Sequence, residues 1–291
     1  MNEEIQKKIE DLEKEMLSPD FWNDKNKAQA ILKQIADLKS ELLGKDKYNN
    51  GGAIMTIYSG AGGDDAEDFS RILFEMYIKF FTKRGWSYKI LDENENDHHG
   101  YRNITLEISG SGVYGDLKGE AGVHRLVRLS PFNAKSLRQT SFSMVEVSPK
   151  IDKDSGIQIQ ESDLKFEISK AGGPGGQNVN KRETAVKVIH IPTGISVRST
   201  SERSQTQNKE NAIQILKGKL FTYYEAEKKA KKKGLFISKS TSIEWGNQIR
   251  SYVFHPYKMI KDHRTDVETS NINKVLEGDL DEFIEAEKKL M

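Results

Sequence analysis

An α+β chain built from several modules is what these 291 residues predict. Three observations lead there. The first 48 residues carry only helical periodicity, strand-length alternation begins at Ala53, and a second α/β unit starts near Ser162 around a glycine-rich loop. In the opening segment Ile5, Ile9, Leu12 and Met16 are spaced four, three and four apart, and Ile31, Ile35, Leu38 and Leu42 repeat that spacing. Such spacing lines one face of a helix. Ser18-Pro19-Asp20 separates the two runs and Asn23-Asp24 offers a cap for the second, so residues 1–48 read as a small helical hairpin. Asn49-Asn50-Gly51-Gly52 is the expected linker.

The next module, 53–158, is mixed. A strand over 53–59 leads through Gly60-Ala61-Gly62-Gly63 into a helix from about Asp64 to Arg84. Phe69, Ile72, Leu73, Met76, Tyr77 and Phe80 form that helix's apolar stripe, and Gly85 closes it. Asp64, Asp65, Glu67 and Asp68 complement the positive end of its dipole. Further strands are expected at 86–91, 103–109, 123–129 and 141–147, the last with Phe142, Met144 and Val147 on one face. In the module 159–238, Leu164 to Ile168 alternates as a strand before the glycine loop. Residues 184–191 and 195–199 form a hairpin about Pro192-Thr193-Gly194, and a long helix follows from about Gln205 to Lys233. The remainder, 239–291, holds a strand at 249–254 and a helix near 278–290.

Composition narrows the class. With 36% hydrophobic and 31% charged residues the chain suits a soluble, surface-rich protein. No apolar run approaches the roughly 18 residues a membrane span needs, so no membrane partner is expected. The charged N-terminus lacks the apolar core of a secretory signal. The absence of cysteine excludes disulfides and fits the cytoplasm. His98-His99 lacks a third ligand at metal-like spacing, and neither a metal nor a cofactor is expected. A net charge of +1 conceals an asymmetry, because residues 161–260 carry 18 Lys and Arg against 9 Asp and Glu. A basic module in a near-neutral chain suggests a polyanion such as nucleic acid, although a solvated Lys-rich helix (Lys228, Lys229, Lys231, Lys232, Lys233) would give the same count.

Gly172-Gly173-Pro174-Gly175-Gly176-Gln177 is the most informative stretch. A phosphate-cradling loop would place Lys-Ser/Thr directly after its last glycine, whereas Gln177-Asn178-Val179-Asn180 follows here. Gln177 cannot titrate, so it cannot act as a general base; it offers an amide donor, an amide acceptor and its own N–H. A catalytic role would therefore be to position a water and stabilise a developing oxyanion.

The run GGQNVNKRETAV over 175–186 resembles the signature of bacterial class I peptide-chain release factors. With Gly122-Val123-His124-Arg125-Leu126-Val127-Arg128-Leu129-Ser130-Pro131-Phe132, Ile249-Arg250-Ser251-Tyr252-Val253 and Ile260-Lys261-Asp262-His263-Arg264-Thr265, the similarity is to the release factor 2 type over about 53–291. The resemblance implies a decoding α/β domain paired with the C-terminal segment and a separate GGQ domain that swings to the peptidyl-transferase centre. It implies an ancillary factor, not a free-standing enzyme, which recognises UAA and UGA and triggers peptidyl-tRNA hydrolysis. Its partners would be both ribosomal subunits, the mRNA stop codon and P-site peptidyl-tRNA. Gly175, Gly176 and Gln177 would be catalytic. N-methylation of Gln177 would bring a glutamine methyltransferase as a further partner. Ser130, Pro131 and Phe132 match the codon-discriminating tripeptide, and a serine hydroxyl can face adenine N6 or guanine O6 because it both donates and accepts. Gly62 and Asp65 match readers of the first-position uridine, with Asp65 where the family usually has Glu. Trp245 matches the switch-loop tryptophan.

Two departures accompany the match. Gln139, before Thr140-Ser141, stands where the family has a histidine that stacks on the second base, and the N-terminal region is a short hairpin where relatives have a longer helical domain. Both leave room for a codon-independent rescue hydrolase, and a non-hydrolytic RNA-binding module is a third reading.

Overall fold

The computed structural model describes residues 11–14, 16, 28, 31, 35, 48–151, 159–170, 183–232 and 247–290, without the side chains of 229–232. In the first of two compact units, 1–50, Ala28, Ile31 and Ile35 are buried, with Leu12 and Met16 packed against them. Both predicted apolar stripes contribute to that cluster.

The second unit, 51–291, begins with strand β1 (Ala53–Ser59) and helix α1 (Asp64–Arg84). It continues through β2 (Ser87–Glu95), β3 (Tyr101–Ser109), the short α2 (Val113–Leu117), β4 (Gly122–Leu129) and β5 (Arg138–Pro149). Strands β6 (Leu164–Ser169), β7 (Ala185–His190) and β8 (Ser196–Ser199) precede the long helix α3 (Gln205–Lys232). The chain ends with β9 (Gln248–Val253), β10 (Met259–Asp262), β11 (Glu268–Thr269), α4 (Ile272–Leu276) and α5 (Asp281–Lys288).

Eight strands form one sheet in the order β11-β10-β9-β4-β5-β1-β3-β2, and β6-β7-β8 form a second. Among the described residues all pairs are antiparallel except β4 with β9, which joins the C-terminal segment to the first α/β module. Alternation along β1 gives the large sheet two unlike faces. Met55 and Ile57 lie opposite Val147 and Val145 of β5 and face α1, whose Phe69, Leu73, Met76, Tyr77, Phe80 and Phe81 are buried. The predicted grouping of Val147 with Phe142 and Met144 is therefore corrected. Val145, Val147, Ser141 and Ser143 are buried on the α1 side, while Phe142 and Met144 lie half-buried on the other. A period of two separates 142 from 147 by an odd step, so they cannot share a face.

The opposite face is polar. Thr56 and Thr105 share a hydrogen bond of 3.2 Å, and Tyr58, Asn103, Glu107 and Glu146 continue the same rows. Ile54 and Leu91 are buried apolar residues on this face. They join a cluster with Val186, Val188, Val197, Ala212, Ile215, Leu216 and Leu220, through which β7, β8 and α3 pack on the large sheet.

A buried ionic cluster secures the C-terminal strands. Arg250 on β9 donates to both oxygens of Glu120 at 2.7 Å and to Asp262 Oδ2 on β10 at 3.2 Å, and Tyr77 Oη donates to Glu120 Oε2 at 2.8 Å. Phe283 of α5 lies under the guanidinium at 4.5 Å. Burial pushes the Glu120 carboxyl up, but the charge and hydrogen bonds of Arg250 outweigh it and hold the group below its ordinary value. Asp262 is held down at about 2, where burial is outweighed by hydrogen bonds from Arg264 and the charge of Arg250. His124 is driven down to about 4 by burial and the neighbouring Arg250. Its neutral ring then donates through Nε2 to Glu120 O at 3.1 Å and accepts at Nδ1 from Tyr252 Oη at 3.2 Å.

Candidate nucleic-acid interface

One edge of the large sheet gathers most of the predicted reading residues. β1, β5 and β4 are neighbours, and the end of β1, the start of β5 and the end of β4 lie together there. Beyond β1 the chain turns through Gly62 and Gly63 into α1, and both glycines have positive φ, 139° and 57°. A Cβ on Gly62 would lie 3.0 Å from Ser141 Oγ and 3.2 Å from Ala66 Cβ, so a side chain is excluded by contact as well as by backbone angle. Gly63 O accepts from the amides of Ala66 and Glu67 at 2.9 and 3.1 Å. The preceding amides of Asp64 and Asp65 have no intrahelical acceptor, as at any helix start, and form a donor pair suited to a base carbonyl.

Beyond β4, Ser130 is buried and its Oγ donates to Asp65 Oδ2 at 2.6 Å. The same oxygen accepts from the Phe132 amide at 3.2 Å, which shapes the turn. Asp65 Oδ1 accepts from Arg128 Nη2 at 3.1 Å, and the same nitrogen pairs with Asp68 Oδ2 at 2.6 Å. Ser130 and the start of α1 thus form one hydrogen-bonded unit, with Arg128 as its brace. Arg128 was not among the predicted site residues. The available signal is an arginine two residues before the serine together with two aspartates in the first turns of a helix, and only the fold brings them together.

Pro131 and Phe132 are exposed, and the His98 ring packs beside Phe132 at 5.6 Å between centroids. Gln139 and Thr140, both exposed at the start of β5, point to opposite faces. Gln139 is paired with Arg128 on the α1 side, whereas Thr140 is paired with Val127 on the other.

The other predicted groups lie elsewhere. Gly175, Gly176 and Gln177 lie outside the described residues, as does Trp245. What is described is the base from which the glycine loop departs: Ser169 of β6 is paired with Ala185 of β7. The side chains of Lys229, Lys231, Lys232 and Lys233 are outside the description too, while Lys228 is exposed. Among the described residues no group of His, Cys, Asp and Glu is arranged to hold a metal ion, and no helix is long and apolar enough to cross a membrane.

Comparison with known proteins gives this arrangement a context. A PCRF domain model matches residues 32–145 and an RF-1 domain model matches residues 151–264. Peptide chain release factor 2 of Clostridium perfringens is 49% identical over 232 residues, which cover 80% of this chain and 64% of the relative. Its counterpart in Thermotoga maritima is 48% identical over 235 residues, 81% of this chain and 63% of the relative. Peptide chain release factor PrfB1, chloroplastic, of Arabidopsis thaliana is 49% identical over 236 residues, 81% of this chain and 52% of the relative. The chain thus spans less than two thirds of the length of these curated relatives. The solved structure of RF2 of Thermus thermophilus superposes with a TM-score of 0.74 at 36% identity, covering 97% of this chain and 80% of that one. The two domain matches and this structural match make the chain a member of the peptide chain release factor 2 family.

Proposed function

We propose that the protein is a codon-dependent termination factor of the cytoplasm. It binds the ribosomal A site at UAA or UGA and triggers hydrolysis of P-site peptidyl-tRNA. The observation that carries this reading is the coupling of Ser130 to Asp65, because it ties the group proposed for the second codon position to the helix start proposed for the first. In this reading the amides near Gly62 and Asp65 meet the uridine, and Ser130 meets the purine. Pro131 and Phe132 shape the loop, and Gln139 and Thr140 flank it. Trp245 passes codon recognition to the GGQ module. The Gln177 N–H stabilises charge on the leaving ribose oxygen while its side chain orients water; Gly175 and Gly176 supply the backbone shape and the ribosome most of the active site. Gln177 is the expected methylation target.

The hydrogen bond also supports a codon preference as part of this reading. The single hydroxyl proton of Ser130 goes to Asp65, and one lone pair takes the Phe132 amide. The remaining lone pair suits the adenine N6 donor, whereas guanine O6 requires the proton to leave Asp65. UAA should therefore need less factor than UGA. Asp65→Asn should bring the two codons closer together, and Ser130→Ala should weaken both.

The test is peptide release against factor concentration on ribosomes carrying UAA, UGA, UAG, UGG or an empty A site. Gly176→Val should bind yet release nothing. The exposed Gln139, an amide where a stacking ring is expected, favours a second reading as a codon-independent rescue hydrolase. Equal release on all five programmes would establish that reading and end the first.

A further inference from the structure

On the other side of β1 the connection between β2 and β3, residues 96–100, reaches the same edge of the sheet, because β3 begins beside the end of β1 with Asn103 opposite Tyr58. This connection is seated on the first turns of α1. Asn96 Nδ2 donates to Glu67 Oε2 at 2.5 Å, and Arg102 Nε donates to Glu67 Oε1 at 3.2 Å. The Asn96 side-chain oxygen accepts from the amides of His98 and Gly100 at 2.9 and 2.7 Å, which closes the loop on itself. Gly100 is buried, and a Cβ there would lie 2.7 Å from Glu67 C and 2.9 Å from Asp68 N, so the loop backbone rests directly on the helix. His99 turns the chain with a φ of 64° and pairs with Glu95 Oε1 at 2.6 Å. The exposed His98 is left facing Phe132, the rings tilted at 44° with 5.6 Å between centroids, within the range of attractive aromatic pairs.

The same turns of α1 hold the other half of that ring pair. Asp65 accepts from Ser130 and, with Asp68, pairs with Arg128. Past Ser130 the connection to β5 closes on itself, through Ser130 N to Leu137 O at 3.0 Å and Ser136 N to Asn133 O at 2.8 Å. Phe132 stands in that connection with its ring 39% exposed, yet its amide donates to Ser130 Oγ. Where the Phe132 ring rests therefore affects how its amide meets the hydroxyl. His98 offers that ring a support fixed to the helix that also fixes Ser130.

We propose that His98 is a positioning residue for codon reading. Its ring holds Phe132, and through the Phe132 amide it sets the direction in which the Ser130 hydroxyl faces the purine. The inference rests on the termination reading and adds the β2–β3 connection to the reading surface. It acts on codon affinity and leaves the hydrolytic step untouched.

The experiment measures peptide release against factor concentration on ribosomes programmed with UAA or UGA. His98→Ala should raise the half-saturating concentration at UAA about fivefold, within the range of one aromatic pair. The rise should be smaller at UGA, where the hydroxyl must turn in any case, and the maximal rate should not change. His98→Phe restores a ring and should match the parent, whereas His98→Gln should behave as His98→Ala does. On a Phe132→Ala background, His98→Ala should add nothing, because the two rings act as one unit. Both side chains are exposed, so these variants should unfold at the parental temperature. His98→Ala equal to an active parent would overturn the proposal, as would rises of equal size at the two codons. So would a full second loss on the Phe132→Ala background, which would place His98 against the ribosome itself. A parent that releases nothing at either stop codon would take down the termination reading and this inference with it.

Discussion

Two seams hold the second unit together, and they are built differently. The seam to the C-terminal segment has a backbone ladder, β4 beside β9, and behind it the buried Arg250, Glu120 and Asp262. The seam between the large sheet and the β6–β8 module has no strand pairing among the described residues. Apart from one backbone hydrogen bond, Thr200 N to Leu91 O at 3.3 Å, it relies on side chains. Ile54 and Leu91 enter the smaller module's core, Lys219 Nζ reaches Glu146 at 2.7 Å and Tyr58 Oη at 2.6 Å, and Lys89 pairs with Glu202 at 2.7 Å. The first seam cannot part without exposing backbone hydrogen bonds and stranding buried charge. The second can part with its polar face already suited to water. On the termination reading proposed above, a decoding body that stays whole and a hydrolytic module that travels would need this difference.

The largest effect should come from the first seam. Arg250→Met leaves Glu120 buried without its cation and Asp262 with Arg264 alone, a change that typically costs about 3–5 kcal/mol. Urea unfolding followed by circular dichroism should show that loss for the whole second unit. Lys219→Met, which leaves the 37% exposed Glu146 within reach of water, should shift the same midpoint by less than Arg250→Met does. Equal losses would erase the distinction between the seams.

A smaller effect, with a divided sign, is expected at Gly218. It lies inside α3, where glycine costs about 1 kcal/mol relative to alanine. Its place is explained by contact, since a Cβ there would lie 2.8 Å from Ser148 Oγ and 2.9 Å from Pro149 O. Gly218→Ala should therefore strengthen the helix and weaken the seam. Small-angle scattering should report a larger radius of gyration, while thermal unfolding of the separated parts should not fall. An unchanged radius with a lowered unfolding temperature would show that the two modules behave as a single block.

Much of this fold was legible because its elements are long and periodic. The bounds of β1 and α1 follow from the change of period at Ala53 and from the glycines on either side of the helix. β10 and β11 were not legible: four and two residues are too few to show a period, and pairing with β9 makes them strands. The same limit governs the site. Gly62, Asp65 and Ser130 could be named from motif wording, yet the bond from Ser130 to Asp65 joins residues 65 apart, and the brace from Arg128 to Asp65 joins residues 63 apart. Glu120 and Arg250 are 130 residues apart, and no local pattern pairs them. Motif wording names candidate groups one at a time and does not show which side chains brace them.

The smallest predicted effect is a difference in pH slope between the seams. At the first, His124 is neutral with its pKa lowered to about 4, so it binds a proton on unfolding between about pH 4 and its ordinary value near 6.5. Stability from that group is complete above this window and declines as pH falls through it. At the second, Asp92 accepts from Thr200 Oγ1 at 2.7 Å, and burial raises its carboxyl to about 6 against that hydrogen bond. The docked form there holds a proton that the separated form releases, so docking should strengthen as pH falls from about 6 toward 4. Amide exchange should reveal both trends in one titration: from pH 7 to 5, protection in β9 should fall while protection in β8 and the start of α3 rises. Asp92→Asn should remove the second trend and leave the first. If both regions lost protection in parallel, or if the substitution changed neither, the two seams would not be independent elements of this fold.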